Sequence, residues 1–320
     1  MEYNFEGLKF NIERNQKSHY PSILKLYHET SGYKKNIDFV ERKYDTTIYT
    51  KSDIGFLAFD GKNVASYYGV FPIKMVYKGV EYLAAQSGDT LTHPNYQKKG
   101  LFTYLAKETY LLAEKENIQF VFGFPNKNSI HGLQRKLNWV FHHKMQEFSI
   151  SVNSLPVGEL LSKINFFNGV YLTWVNKLLR KDMVNPNEVG LEGFNTQQNY
   201  LRVKKDLDFF SYKKYDNATL ISRNSFLIYL KVETHLIIGD VAFFEKQKFP
   251  EFISTIKQIA RKLLVFKIKF YLSQNHWLFV YLKEQFQPIE NNPIGFCFFN
   301  QNCILPVEDA LFSAADFDTF

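Results

Sequence analysis

Gln97-Lys98-Lys99-Gly100 stands between a beta-rich stretch that ends near Thr92 and a helical run that begins at Leu101. The first turn of a helix has backbone N–H groups without intrahelical partners and a partial positive charge, so anions settle there. Gly100 lets the backbone approach such an anion without a Cβ in the way, and Lys98 and Lys99 add charge. The amides from Gln97 through Leu101 to Phe102 are the expected contacts. Neither a GxxxxGK[ST] loop nor a GxGxxG turn is present, and taken alone a solvated basic turn explains the stretch as well.

Upstream, the run Gln86-Ser87-Gly88-Asp89-Thr90 is polar for a central strand, which makes Asp89 a candidate base or ammonium anchor. The other reading is a structural carboxylate that caps nearby backbone amides. His131, in the short helical run after "IQFVFGFP", is a second candidate, weighed against a surface or packing role. His93 reads as a loop-ordering residue before Pro94. Asn128 could contact a ligand or cap the helix before Ile130. No pair of histidines shares metal-ligand spacing with a carboxylate on one element, so no metal is assigned.

These groups need a scaffold. Residues 8–14 alternate as a strand, and Pro21 opens a helix closed by Ser31-Gly32. "DFVERKYD" is a second helix; "IGFLAFDGKNVASYYGVFPIKMVYKG" holds strands around the Asp60-Gly61 turn. Leu83 to Thr92 is a strand. Leu101 to Asn117 is a helix whose Leu101, Phe102, Leu105, Ala106, Leu112 and Ala113 share a face. "HHKMQEFSI" closes this half. Leu161 to Met183 is a basic amphipathic helix that packs between domains or lies on a membrane surface. Then "FVERKYD" echoes as "FSYKKYD", and helix, hairpin strands, helix and strand follow again, which reads as a duplicated domain. The second copy lacks a glycine between Phe244 and Glu251 and cannot form the same loop.

The stretches "THPNYQKKGLFTYL" and "FVFGFPNKNSIHGLQRKLNWV" resemble the GCN5-related N-acetyltransferase (GNAT) superfamily over about residues 8 to 150. Its loop reads [QR]-x-x-G-x-[GA] between a strand and a helix. The resemblance implies an α/β fold of tandem GNAT-like domains. Each is a mixed, mostly antiparallel sheet flanked by helices, splayed between the fourth and fifth strands of the first. It implies that the loop amides hold the pyrophosphate of acetyl-CoA and that the backbone at Leu91 and Thr92 pairs with the pantetheine and the thioester carbonyl. Three positions depart from the pattern. Phe102 replaces a small residue, Asn138 replaces the glycine before Trp139, and Gln134 stands where many members place a proton-donating Tyr.

The organisation expected is a catalytic domain over 1–153, a helix and linker over 154–195, and a degenerate copy over 196–320. The activity expected is acetyl transfer to the amine of a nucleotide-linked amino-deoxy sugar, with dTDP as the nucleotide, for surface polysaccharide synthesis. Direct transfer in a ternary complex is implied. Rival readings are a free amine, aminoglycoside or peptide acceptor, and a non-catalytic acetyl-CoA sensor or scaffold. Acidic "FSAADFDTF" at the end reads as a frayed tail, although some relatives bring a C-terminal carboxylate into the site, which would make that of Phe320 a rival base.

Composition bounds the rest. The 320 residues are 45% hydrophobic, enough for a sizeable core. Cys297 and Cys303 are too few for a disulfide scaffold. No uncharged apolar run reaches a membrane-span length and the start lacks signal-peptide character, so the expectation is a soluble cytoplasmic protein. A net charge of +7 suits anionic ligands but is too scattered for nucleic acid.

Overall fold

A computed structural model describes residues 1–32, 35–155, 165–300 and 305–320. The chain divides into two compact units: 1–76, 80–142 and 292–307 form the first, and 77–79, 143–291 and 308–320 the second.

In the first unit β1 (Glu2–Phe5), β2 (Leu8–Arg14), β3 (Gly55–Asp60), β4 (Asn63–Tyr77), β5 (Val80–Thr92) and β6 (Phe120–Gly123) are neighbours in that order. β1–β2, β2–β3 and β3–β4 pair antiparallel, while β5 and β6 run parallel. Helix α1 (Tyr20–Ser31) starts on Pro21 in its first turn, and α2 (Ile37–Tyr44) is capped by the Asn36 side chain, which accepts from the Phe39 amide at 2.9 Å. Helix α3 (Leu101–Lys115) follows β5, and α4 (Lys127–Lys136) follows β6. Leu101, Leu105, Ala106 and Ala113 of α3 are buried against Phe10, Ala58, Ala85 and Val121 of the sheet. Each buried leucine contributes about 1.5–3 kcal/mol, which fixes the helix that carries the loop.

In the second unit the sheet runs β7–β12–β11–β10–β9. Its strands are β7 (Val140–Ser151, from His143 on), β9 (Thr219–Arg223), β10 (Phe226–Val232), β11 (Leu236–Val241) and β12 (Lys267–Leu272). A short β8 (Leu201–Val203) pairs in parallel with β14 (Ala310–Leu311). The helices are α5 (Asn165–Leu179), α6 (Leu207–Tyr212), α7 (Phe249–Lys262) and α8 (Trp277–Lys283). β11 and β12 are parallel, as β5 and β6 are. The order α2-β3-β4-β5-α3-β6-α4-β7 thus recurs as α6-β9-β10-β11-α7-β12-α8-β13, with β13 (Ile289–Phe298).

The closing strands are exchanged. β7 pairs antiparallel with β12 (Phe148 opposite Phe270), and β13 pairs antiparallel with β6 (Phe296 opposite Phe122). The division therefore falls at His142/His143 instead of Asn153, and 292–307 returns to the first unit, which the linear boundaries 1–153, 154–195 and 196–320 do not describe. The amphipathic helix also differs from expectation where it lies in the described residues. Tyr171, Val175 and Leu179 of α5 are buried in the core of the second unit, and the Tyr171 hydroxyl donates to the Leu263 carbonyl at 2.8 Å. Residues 161–164 of that predicted helix lie outside the described residues. The tail is not frayed: Phe320 is 2% exposed, its ring against Tyr229.

Candidate active site

The β5–α3 junction has the conformation that the glycine and the basic pair imply. Lys98 and Gly100 both have positive φ, 64° and 74°, and Gly100 is the N-cap of α3. A Cβ on Gly100 would lie 2.5 Å from the Tyr3 hydroxyl, so both backbone and space demand glycine. Tyr3 donates to the Lys99 carbonyl at 3.0 Å and packs on Tyr104 at 4.5 Å, which makes β1 the strut of the loop. The first helical bond is Tyr104 N–H to the Gly100 carbonyl, so the amides of Leu101, Phe102 and Thr103 precede it and have no helical acceptor.

They border a cavity of about 760 Å³. It gathers Leu91, Thr92, the run Gln97 to Phe102, Asn128 and His131. Three ammonium-bearing side chains line it, Lys98, Lys99 and Lys136. Lys136 was not anticipated, yet Asn128, Gly132 and Lys136 fall at i, i+4, i+8 on α4, a spacing that marks one helix face. Thr30 of α1 also lines it, and nothing local in the sequence signals that. The large residue at Phe102 is accommodated by a small one opposite, since a Cβ on Gly132 would lie 2.8 Å from the Phe102 ring.

The sheet opens beside the cavity. β5 pairs with β6 only at Ala84–Phe120, Ala85–Val121 and Gln86–Phe122, while β5 itself continues to Thr92. Ser87 bonds Tyr68 and thereby faces α3, whereas Asp89 bonds Lys43 and Tyr44 of α2. Ser87 and Asp89, two apart on β5, thus reach partners on different elements, Tyr68 of β4 and Lys43 and Tyr44 of α2.

Asp89 is not among the residues lining the cavity. It is 6% exposed; Oδ1 accepts from Lys43 Nζ at 2.7 Å and Oδ2 from the Tyr44 hydroxyl at 2.8 Å. Burial first, then the Asp89 charge, pushes the Tyr44 phenol well up, which keeps it a donor. The Lys43 ammonium also stands 4.7 Å from the Phe71 ring centroid. The second unit repeats the device. Gly239-Asp240 follows the last parallel pair of β11, Ile238–Phe270, and Asp240 meets Lys205 at 2.9 Å and His276 at 3.2 Å.

His93 Nδ1 accepts from the Asn95 amide at 3.2 Å and orders its own turn. Asn126 caps α4 by accepting from the Asn128 amide at 2.9 Å, so the capping role belongs to Asn126 and leaves the Asn128 side chain on the cavity wall. Gln134 is exposed and lies off the cavity. Among the described residues no group of three His, Cys, Asp or Glu side chains could hold a metal ion. No helix among them is long and apolar enough to cross a membrane.

A mixed sheet split beside a strand, with an amide-lined and lysine-lined cavity at the N-terminus of the following helix, is an arrangement suited to an anionic group. Residues 11–140, less than half of the chain, match the Acetyltransferase (GNAT) domain family, and an acyltransferase enzyme is the activity class that this match supports. No curated protein matches the sequence. Solved structures share the fold over most of the chain. A GCN5-related N-acetyltransferase from Kribbella flavida is 10% identical with a TM-score of 0.61, covering 90% of this chain and 72% of that one. One from Anabaena variabilis is 13% identical with a TM-score of 0.60, covering 91% and 73%. Saccharomyces cerevisiae N-myristoyltransferase with bound myristoyl-CoA is 11% identical with a TM-score of 0.60, covering 92% and 83%.

Proposed function

We propose that the first unit transfers an acetyl group from acetyl-CoA directly to the amino group of a nucleotide-linked amino-deoxy sugar, with dTDP as the nucleotide, in the cytoplasm and for surface polysaccharide synthesis. The observation that carries the acetyl-CoA reading is the junction of Gln97 to Phe102, where open amides and three lysines face one cavity. Its residues fit the group: a pyrophosphate on the amides of Leu101 to Thr103, with Leu91 and Thr92 beside the pantetheine. A net charge of +7 favours an anionic acceptor over an aminoglycoside.

Direct transfer is favoured because Cys297 is poorly suited as a nucleophile. It is buried, burial pushes its thiol up to about 12, and it points at the Leu137 carbonyl 3.3 Å away. The amine must arrive neutral or lose its proton. His131 is the imidazole on the cavity wall and takes that role in this reading. Asp89, with both oxygens engaged by Lys43 and Tyr44, is assigned to tying β5 to α2.

Thiol release from acetyl-CoA across dTDP-amino sugars, free amines, aminoglycosides and peptides tests the assignment. Turnover confined to the nucleotide sugars supports it. Turnover with cationic acceptors alone rejects the sugar, and no turnover with any amine favours a binding protein.

A further inference from the structure

Helix α4 runs along the cavity over its whole length. Asn126 and Asn128 at its start and Lys136 at its close all line the wall. A helix rises about 1.5 Å per residue, so the two ends stand about 15 Å apart. Between them α4 meets the first turn of α3. An ideal Cβ on Gly132 would lie 2.8 Å from the Phe102 ring and 3.9 Å from Thr103 Cγ2. The open amides of Leu101 to Thr103 therefore lie beside the middle of α4, one helical turn before Lys136.

The two halves of α4 differ in what they adjoin. Its start follows β6, whose Gly123 comes directly after the last pair with β5, Gln86–Phe122. An ideal Cβ on Gly123 would lie 3.3 Å from the Ser87 carbonyl, so this end belongs to the split in the sheet. The other half leads away from the split. Leu133 there is buried in the core, and Lys136 is the group that this half contributes to the cavity wall.

The charge on the cavity has one sign. Among the described residues no Asp or Glu lines it, and Lys98, Lys99 and Lys136 have no carboxylate partner. Lys98 and Lys99 belong to the turn that precedes α3, whereas Lys136 stands apart on another element. A ligand with two separate anionic groups matches that division, one group on the amides and a second displaced by about 6 Å along α4. Acetyl-CoA carries such a pair. Beyond its pyrophosphate lies the ribose 3′-phosphate, a monoester with a charge of about −1.5 to −2 near neutral pH. The pantetheine arm leaves the pyrophosphate toward the split, and the nucleotide is left with the Lys136 end.

We propose that Lys136 is a specificity-determining residue for the ribose 3′-phosphate, so that the site prefers acetyl-CoA to acetyl-dephospho-CoA, which lacks that phosphate alone. This rests on the acetyl-CoA reading above. The Lys136 side chain is exposed, so it acts as a screened point charge and not as a rigid clamp. Its other role, a cation in the last turn that offsets the helix macrodipole, needs no ligand at all.

Calorimetric titration of the full chain with acetyl-CoA and with acetyl-dephospho-CoA, at low ionic strength, separates these roles. Wild type should bind acetyl-CoA about two- to fivefold more tightly, the range for an exposed ion pair. Lys136→Ala should lose that preference by weakening acetyl-CoA alone, and Lys136→Arg should retain it. Lys98→Ala, at the pyrophosphate turn, should weaken both ligands by the same factor and leave the preference intact. A preference that survives in Lys136→Ala, an equal loss for both ligands in that variant, or a wild type without preference overturns the proposal. A lowered melting temperature in Lys136→Ala with the preference unchanged would assign the lysine to the macrodipole. Neither ligand binding to wild type would instead be failure of the acetyl-CoA reading.

Discussion

Two equivalent strand-to-helix junctions of the repeated units, β5–α3 and β11–α7, start from similar chemistry and end differently. At β5–α3, Lys98 and Gly100 turn the backbone through positive φ, and the helix begins with its amides open to a cavity. At β11–α7 the chain also carries lysines, Lys246 and Lys248, but runs through a three-residue 3-10 turn into a helix started by Pro250, with Lys248 at φ −83°. Among the described residues no φ is positive between Ser225 and Leu264. Phe244 packs there on Trp277 and Phe252, each at 4.9 Å. Lysines recur at both junctions and the positive-φ turn does not; where it is absent, aromatic packing stands in its place. What both junctions keep is a Gly-Asp step with a buried lysine on the carboxylate, Asp89–Lys43 and Asp240–Lys205.

The largest expected effect comes from cutting between the halves. A chain ending at Asn153 lacks β13, whose residues 295–298 pair with β6. It should aggregate or lose its cooperative melt in circular dichroism. A monomeric fragment with a sharp transition would show that the exchanged strand is dispensable.

Next are the paired carboxylates. Asp89→Asn removes the carboxylate that meets buried Lys43 at 2.7 Å and should cost about 3–5 kcal/mol in denaturant unfolding, and Asp240→Asn should cost less, because Lys205 keeps Asp316 at 3.0 Å. Burial raises the Asp240 carboxyl, but the Lys205 and His276 charges outweigh it and hold the group well below the usual range. A depressed pKa stabilises above the unfolded value of about 3.9, and that contribution drains away as pH falls through the folded value. Acid titration of stability below about pH 4 should be shallower in Asp240→Asn. Near-wild-type stability in Asp89→Asn with a lost rate would instead make Asp89 a base and split the two aspartates by function.

A smaller effect is expected at Gly132→Val, where the added Cβ meets the Phe102 ring at 2.8 Å. Overpacking of this kind costs about 1–3 kcal/mol. Weaker acetyl-CoA binding should accompany it because Phe102 borders the cavity; unchanged affinity would detach that ring from the site. The smallest is Lys136→Ala, a loss of under about tenfold in affinity that shrinks further in high salt, as screening dictates. Lys246→Ala in the second junction should do nothing to acetyl-CoA binding.

The turn before α3 was legible because its determinants are local. A glycine, two lysines and the helix start at Leu101 lie within five residues, and the amides need no distant partner. The repeat was legible for the same reason, as an order of elements. The strand exchange was not, since the pairing of Cys297 with Val121 carries no mark in either stretch. The surroundings of Asp89 were hidden likewise: its partners Lys43 and Tyr44 lie 46 and 45 residues away. The polar run allowed both a base or ammonium anchor and a structural carboxylate, and a buried ammonium from α2 meets Asp89. The place of α5 depended on Leu263, 92 residues from Tyr171.

The central claim is that one junction of the two binds acetyl-CoA, and that its backbone turn is the reason. Calorimetric titration of acetyl-CoA into wild type and Gly100→Val tests it most directly. One site per chain is expected. Its affinity should fall by well over about 1 kcal/mol in a folded Gly100→Val protein, because valine cannot hold φ at 74° and its Cβ would meet Tyr3. Two sites per chain, or an unchanged affinity in the folded variant, would contradict the account.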